Sequence, residues 1–228
     1  MSGIRIHATI RQQIFEILRD RIMEGYYPAG TRLSEQQICD EFNISRSPVR
    51  EAFRNLESSG LLKGTANKGV QVKSFTAHDI TNLYQAETMF QITSIQNGVS
   101  SMTEEQAASF EKYRTLFTDA YNSENLEQYL SVSEKFHNDI TALGQNELII
   151  QMYRQIGTLN HRFRLTALKN PERLRASQEE HLKMIDALRA KNADELQKLM
   201  QMHISESSRY ALMAIPAASQ IETEDESA

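Results

Sequence analysis

The chain has 228 residues, 40% hydrophobic and 24% charged, enough for two modest folded domains, and its one cysteine excludes an intramolecular disulfide or a multi-cysteine metal site. No apolar run reaches the roughly eighteen residues of a membrane span, and the segment from Met1 to Leu18 lacks the unbroken apolar stretch of a secretion signal, so a cytoplasmic chain with no membrane partner is expected. A net charge of −5, taken over the whole chain, argues mildly against nucleic acid as a partner.

Ile10, Ile14, Ile17, Leu18 and Ile22 recur at helical spacing and predict a first helix over about 9–24, closed by Gly25. Tyr27 to Leu33 reads as a turn followed by a short extended piece. Ser34-Glu-Gln-Gln37 has the form of a capping box and opens a second helix that runs to about Phe42. A third helix is expected from Ser45 to Gly60. Leu61–Lys63 and Val70–Lys73 then flank a turn-like stretch from Gly64 to Gly69, the best strand signal in the chain. Helix, short strand, helix, tight turn, helix and hairpin is the order of a winged helix-turn-helix.

After Phe75 the pattern becomes helix upon helix, over about 77–98, 103–121, 124–143, 146–169, 172–191 and 193–213. Thr76-x-x-Asp79 and Thr103-x-x-Gln106 cap the first two, and Gly144, Asn170-Pro171 and Asn192 separate later ones. The expected fold is mainly α: a winged helix-turn-helix over 1–75, an antiparallel all-helical bundle over 76–215, and an acidic tail over 216–228. Met89, Met152, Met184 and Met200 read as core, as does Cys39, while His7 and His78 read as surface or junction residues.

Dividing the charge at this boundary changes its meaning. Residues 1–75 hold eleven Lys or Arg against eight Asp or Glu, a balance of +3, and the remainder holds fourteen against twenty-two, a balance of −8. The acidity belongs to the bundle, and the leading domain is locally basic, which reopens nucleic acid as a partner.

The segment from Asn43 to Arg54 carries the most information. Ser45 suits an N-cap and Pro48 falls in the first turn, where a missing N–H costs little. At 100° per residue Val49, Ala52, Phe53 and Leu56 form one face, and Arg46, Ser47, Arg50 and Arg54 gather on the adjacent one. That second face projects guanidinium groups and a hydroxyl from the N-terminal half of a helix, where a recognition helix meets base edges and phosphates; an arginine fork can bond O6 and N7 of a guanine together. Lys68 and Gly69 at the hairpin tip fit a wing. Residues 9–73 resemble the winged-helix domain of the GntR family of bacterial transcription factors, through Gly30-Thr-Arg-Leu-Ser-Glu35 and above all Ser45-Arg-Ser-Pro-Val-Arg-Glu-Ala52. The resemblance implies operator contacts for Arg46 and Arg50, a wing-tip glycine in Gly69, and polar contacts for Arg32 and Gln36. Members resembling FadR carry an arginine at the place of Gln36, so base preference there is expected to differ.

His137, His181 and His203 lie on three different predicted helices, 44 and 22 residues apart. Phe136-His137, Glu180-His181 and Met202-His203 make the bundle resemble the FCD effector domain of the FadR subgroup, with a helix count closer to its VanR-like branch. The resemblance implies that these three imidazoles converge on a divalent metal such as zinc or nickel, which suits neutral nitrogens and keeps coordination positions open, and that the ion helps hold a small carboxylate effector. Two positions depart from that pattern. Ser133 stands one turn before His137 where the family has an aspartate, and Glu87 stands where the family commonly has an arginine. Both bear on the effector pocket: a cationic, neutral or absent ligand becomes an alternative to a carboxylate, unless Arg162 or Arg164 faces inward and restores positive charge. Glu134, next to Ser133, points about 100° away on an ideal helix.

The reading that follows is a ligand-responsive transcriptional regulator that binds a palindromic double-stranded operator as a homodimer, because one recognition helix reads only a half-site. The alternative is a constitutive regulator whose effector pocket has degenerated. An enzyme is not expected, since no nucleophile–base pair or Gly-rich phosphate loop accompanies the histidines.

Overall fold

The computed structural model describes residues 9–23, 25–65 and 69–214. Lys68, His7 and the acidic segment 216–228 lie outside the described residues. The chain divides into two compact units at Ser74 and Phe75.

The first unit is built of α1 (Ile10–Met23), β1 (Arg32–Leu33), α2 (Glu35–Phe42), α3 (Arg46–Ser58), β2 (Leu62–Thr65) and β3 (Gly69–Val72). Ile14, Leu18 and Ile22, one i+4 row of α1, are buried, whereas Ile10 and Ile17 from the same predicted face are 57% and 37% exposed. On α3 the predicted core face holds in full, with Val49, Ala52, Phe53 and Leu56 all buried. Ser34 accepts from the Gln37 N–H at 3.2 Å, but only this serine half of the expected capping box forms. Asn43, at φ +50°, ends α2 in a left-handed cap.

The sheet is antiparallel in the order β1-β3-β2, with Leu33 opposite Val70 and Lys63 opposite Gln71. Gly69 has a structural reason of its own. Its φ is +81°, and a Cβ there would lie 2.6 Å from the Leu33 carbonyl oxygen, so only glycine lets β3 approach β1.

The second unit contains α4 (Ala77–Gly98), a 3₁₀ turn (Val99–Ser101), α5 (Glu104–Ser109), α6 (Lys112–Asn122), α7 (Leu126–Leu143), α8 (Glu147–Leu168), α9 (Pro171–Arg189) and α10 (Ala193–Met213). The single helix expected over 103–121 is two. Between them Phe110, Glu111 and Tyr113 donate to carbonyls three residues back, a 3₁₀ geometry that eclipses i and i+3 and so brings Ala107, Phe110 and Tyr113 onto one buried face. Both threonine capping boxes form, at Thr76 with Asp79 and at Thr103 with Gln106.

The turns into α7, α8 and α10 repeat one device. A residue at positive φ (Glu124, Gln145, Lys191) precedes an asparagine (Asn125, Asn146, Asn192) whose side-chain oxygen caps the next helix. Asn170 caps α9 in the same way, with Pro171 at the first helical position. Helix α4 runs against α7, α8 and α10. Met184 and Met200 are core, as expected, but Met89 and Met152 are 68% and 45% exposed: a methionine at helical spacing fits the rim of a bundle as well as its centre.

Candidate functional site

In the first unit the backbone of Ser45 has N-cap dihedrals, yet its hydroxyl makes no capping bond. Ser45, Arg46, Ser47 and Arg50 are all exposed along the N-terminal half of α3. Two of them are held by side chains from α2. Arg46 donates to Gln36 Oε1 at 2.7 Å, and Gln36 in turn donates to Asp40 at 2.7 Å. Arg50 donates through Nε to both oxygens of Glu35, at 2.8 and 2.9 Å, and this contact raises the guanidinium's already high pKa. Arg32 lies exposed on β1, opposite Gln71 of β3. An open groove of about 600 Å³ separates α3 from the strands of the hairpin, lined by Arg50, Arg54, Glu57, Gly64 and Gly69 among others. The side chains of α2, α3 and the hairpin thus present one polar face, while α1 braces it from behind through Arg11 with Glu51 and Arg21 with Glu41.

In the second unit the three histidines come together. His137 on α7, His181 on α9 and His203 on α10 are buried, and one ring nitrogen from each lies within 4.8 Å of the others. Nε2 of His137 and Nε2 of His181 are 3.5 Å apart, close to the ~3.3 Å of two nitrogens on one tetrahedral zinc at about 2.05 Å. Behind the rings stands a second layer. Tyr129 and Ser177 meet Nδ1 of His181 at 2.9 and 3.3 Å. Glu180 meets Nδ1 of His203 at 2.6 Å, the nitrogen that also lies 3.1 Å from Nη2 of Arg173; with the carboxylate accepting the Nδ1 proton, Nε2 of His203 keeps the lone pair. His137 Nδ1 has no partner, and Gln91 of α4 donates to the His137 carbonyl at 3.0 Å. The donor set fits a divalent first-row ion: three neutral imidazoles, two of them, His181 and His203, oriented from outside.

Their neutrality has a physical cause. Burial lowers all three pKa values, and the cations Arg164 and, for His181 and His203, Arg173 push the same way. Arg173, on the first turn of α9, is fully buried and donates to Glu180 at 3.0 and 2.7 Å. Burial would raise Glu180, but its bonds to His203 and Arg173 outweigh that and hold it down at about 2. Sequence reasoning missed Arg173 and the role of Glu180, since an Arg and a Glu seven residues apart on one helix form no motif.

Ser133 is buried one turn before His137, as its spacing required, and supplies no anionic oxygen. Glu87 is buried on α4 and pairs with Arg164 of α8, which also donates to Tyr153 at 3.0 Å. Burial opposes the charge of Arg164, and Glu87 and Tyr153 more than offset it. Arg164 therefore does face inward. Arg162 lies instead over the Phe75 ring at 5.1 Å, its pKa lowered by burial. Glu134 meets His161 at 2.6 Å, away from the histidine cluster, in keeping with its angle on the helix.

Residues 10–72 match the model of the bacterial regulatory proteins, gntR family, and residues 82–206 match the FCD domain. The chain belongs to the GntR family and carries an FCD domain. It is 25% identical to the HTH-type transcriptional repressor RspR of Escherichia coli strain K12, over 87% of each chain. It is also 25% identical to the uncharacterized HTH-type regulator YdhC of Bacillus subtilis strain 168, over 85% of this chain and 87% of that one. A GntR regulator from Rhodococcus sp. RHA1 shares the fold at a TM-score of 0.73 and 24% identity, covering 90% of this chain and 99% of that structure. This GntR-family protein is therefore a transcriptional regulator with an effector-binding domain rather than an enzyme. Among the described residues no helix is long and apolar enough to cross a membrane.

Proposed function

We propose that this regulator binds a palindromic operator as a cytoplasmic homodimer, through Arg46, Ser47 and Arg50 of α3, with Ser45, Arg32, Gln36, Lys68 and Gly69 contributing at the edges. Its FCD domain holds a divalent metal such as zinc or nickel at His137, His181 and His203, and the ion helps seat a small-molecule effector. The observation that carries the second statement is the mutual approach of three buried ring nitrogens within 4.8 Å. A bound ion supplies open coordination positions to an oxygen of the effector; Tyr129 and Glu180 orient the rings, and Arg173 keeps Glu180 ionised. For the first statement the support is an exposed guanidinium row on a helix beside an open groove, in a domain with a balance of +3. RspR and the probable D-xylose utilization regulator of Paenarthrobacter nicotinovorans are named repressors, and we extend that sign to this chain. The FadR-subgroup placement and the 1–75, 76–215 and 216–228 division are part of the same proposal.

Effector binding acts on DNA affinity only through unequal affinity for two arrangements of the dimer. The test is His137→Ala with His181→Ala in the full chain. Metal content falls from about one ion per protomer to none, ligand response is lost, and operator affinity is retained. Stoichiometric metal in the double variant overturns the site. Ser133 in place of an acid, and Glu87 engaged by Arg164, favour a second reading, a constitutive regulator with a degenerate pocket; operator affinity that no metal or metabolite changes is its signature.

A further inference from the structure

A second polar site lies on α7 and α8, in a cavity of about 130 Å³ lined by Glu134, Tyr153, Gly157, Asn160 and Arg164, with Asn138 and Arg154 also on its wall. Asn160 is 2% exposed, and neither its amide oxygen nor its amide nitrogen has a hydrogen-bond partner. A buried side-chain amide with nothing on either atom is costly and uncommon in a native fold. The space it faces is large enough for several waters or a small ligand.

Gly157 points the same way by a different route. It sits mid-helix in α8, where glycine is a poor helix former, and no positive φ requires it. A Cβ built there meets nothing within 4 Å, unlike those at Gly98 or Gly144, which strike backbone. Neither backbone strain nor close packing requires this glycine, and the missing side chain leaves the cavity open at that point.

The wall also says what fits. The charge of Arg164 is matched by Glu87, and Glu134 is bonded to His161, so the buried end around Asn160 offers no spare cation to a carboxylate; Arg154 is exposed on the wall. What remains unspent at that buried end is one amide acceptor and one amide donor side by side, flanked by the Tyr153 hydroxyl. Vicinal hydroxyls satisfy that pair, one donating to Oδ1 and its neighbour accepting from Nδ2. We infer that Asn160 and Gly157 form the specificity end of the effector site, and that the effector presents vicinal hydroxyls there, as a small uncharged polyol or sugar does, rather than a carboxylate. This rests on the ligand-responsive reading above.

The experiment is titration calorimetry of the zinc-loaded full chain with erythritol and xylitol, and with erythronate and xylonate as partners ending in a carboxylate. Submillimolar concentrations avoid general polyol stabilisation. A neutral polyol is expected to bind, with at least tenfold loss in Asn160→Leu and in Gly157→Val. Gly157→Ala is expected to raise Tm by about 2–4 °C while weakening the polyol, a pairing that a merely structural glycine would not give. Binding of the acids alone, binding unchanged in both variants, or a cavity that takes up neither class overturns the proposal. Operator affinity measured alongside separates the two readings. If an acid releases DNA and polyols are inert, the ligand class is wrong and the regulator is still ligand-responsive; if metal and all four compounds leave DNA affinity unchanged, that reading falls too.

Discussion

At Arg46 and Arg50 the distinction between a solvated surface and a reading surface comes down to what their guanidinium groups do when DNA is absent. Each is held by one α2 side chain, Gln36 or Glu35, and each remains exposed with N–H donors to spare, so their geometry is set before DNA arrives. Arg46→Ala and Arg50→Ala are each expected to weaken operator binding by roughly 1–3 kcal/mol, measured by fluorescence anisotropy at fixed salt. Unchanged affinity in both removes the assignment. The buried Glu87–Arg164 pair makes a different demand. Glu87→Leu strands Arg164 with Tyr153 alone and is expected to cost about 3–5 kcal/mol in chemical denaturation. A loss under 1 kcal/mol contradicts the pairing. Ser133→Asp returns an anionic oxygen one turn from His137, and tighter zinc binding, read by competition with a chelator, is the outcome expected. The gathering of His137, His181 and His203 and the exposure of the α3 arginines were legible because their neighbours form motifs. Arg173 was not, because a long cation reaching seven residues along its own helix to Glu180 leaves no local pattern. Asn160 was invisible for a stronger reason: its signal is a missing partner, which exists only in three dimensions.

At the level of elements, what separates a legible helix from a misread one is whether its period is constant. Helix α3 keeps a 3.6-residue period from Val49 to Leu56 and its buried face was read correctly. The 103–121 segment switches to a three-residue period at Ala107, Phe110 and Tyr113, so the 3₁₀ break fell inside an apparently continuous pattern. The joints between helices were half legible. Gly144 was read as a separator, and its function is close contact: a Cβ on Gly144 would lie 2.8 Å from Ser94 Cα, and one on Gly98 would lie 2.1 Å from the Leu143 carbonyl oxygen. Helices α4 and α7 therefore meet through two glycines. Gly98→Ala is expected to destabilise the helical unit by about 1–3 kcal/mol, despite alanine's better helix propensity, because backbone must move. A rise in the denaturation midpoint contradicts this crossing.

Across the whole molecule the net charge of −5 conceals a division of labour, +3 in the DNA-binding unit and −8 in the helical one. A basic face concentrates the protein on DNA, and an acidic partner domain discourages binding through the wrong surface. The fold class followed from helical spacing and one hairpin signal, and the GntR and FCD models match the segments on which the resemblance rested. Whether the helical unit is built around an ion decides the function proposed for it. Anomalous diffraction from crystals of the full chain as purified, collected across the zinc and nickel edges, tests that most directly. The expected result is one strong peak per protomer within coordinating distance of His137, His181 and His203. An ordered, empty space between the three rings, or a peak bound elsewhere, contradicts it.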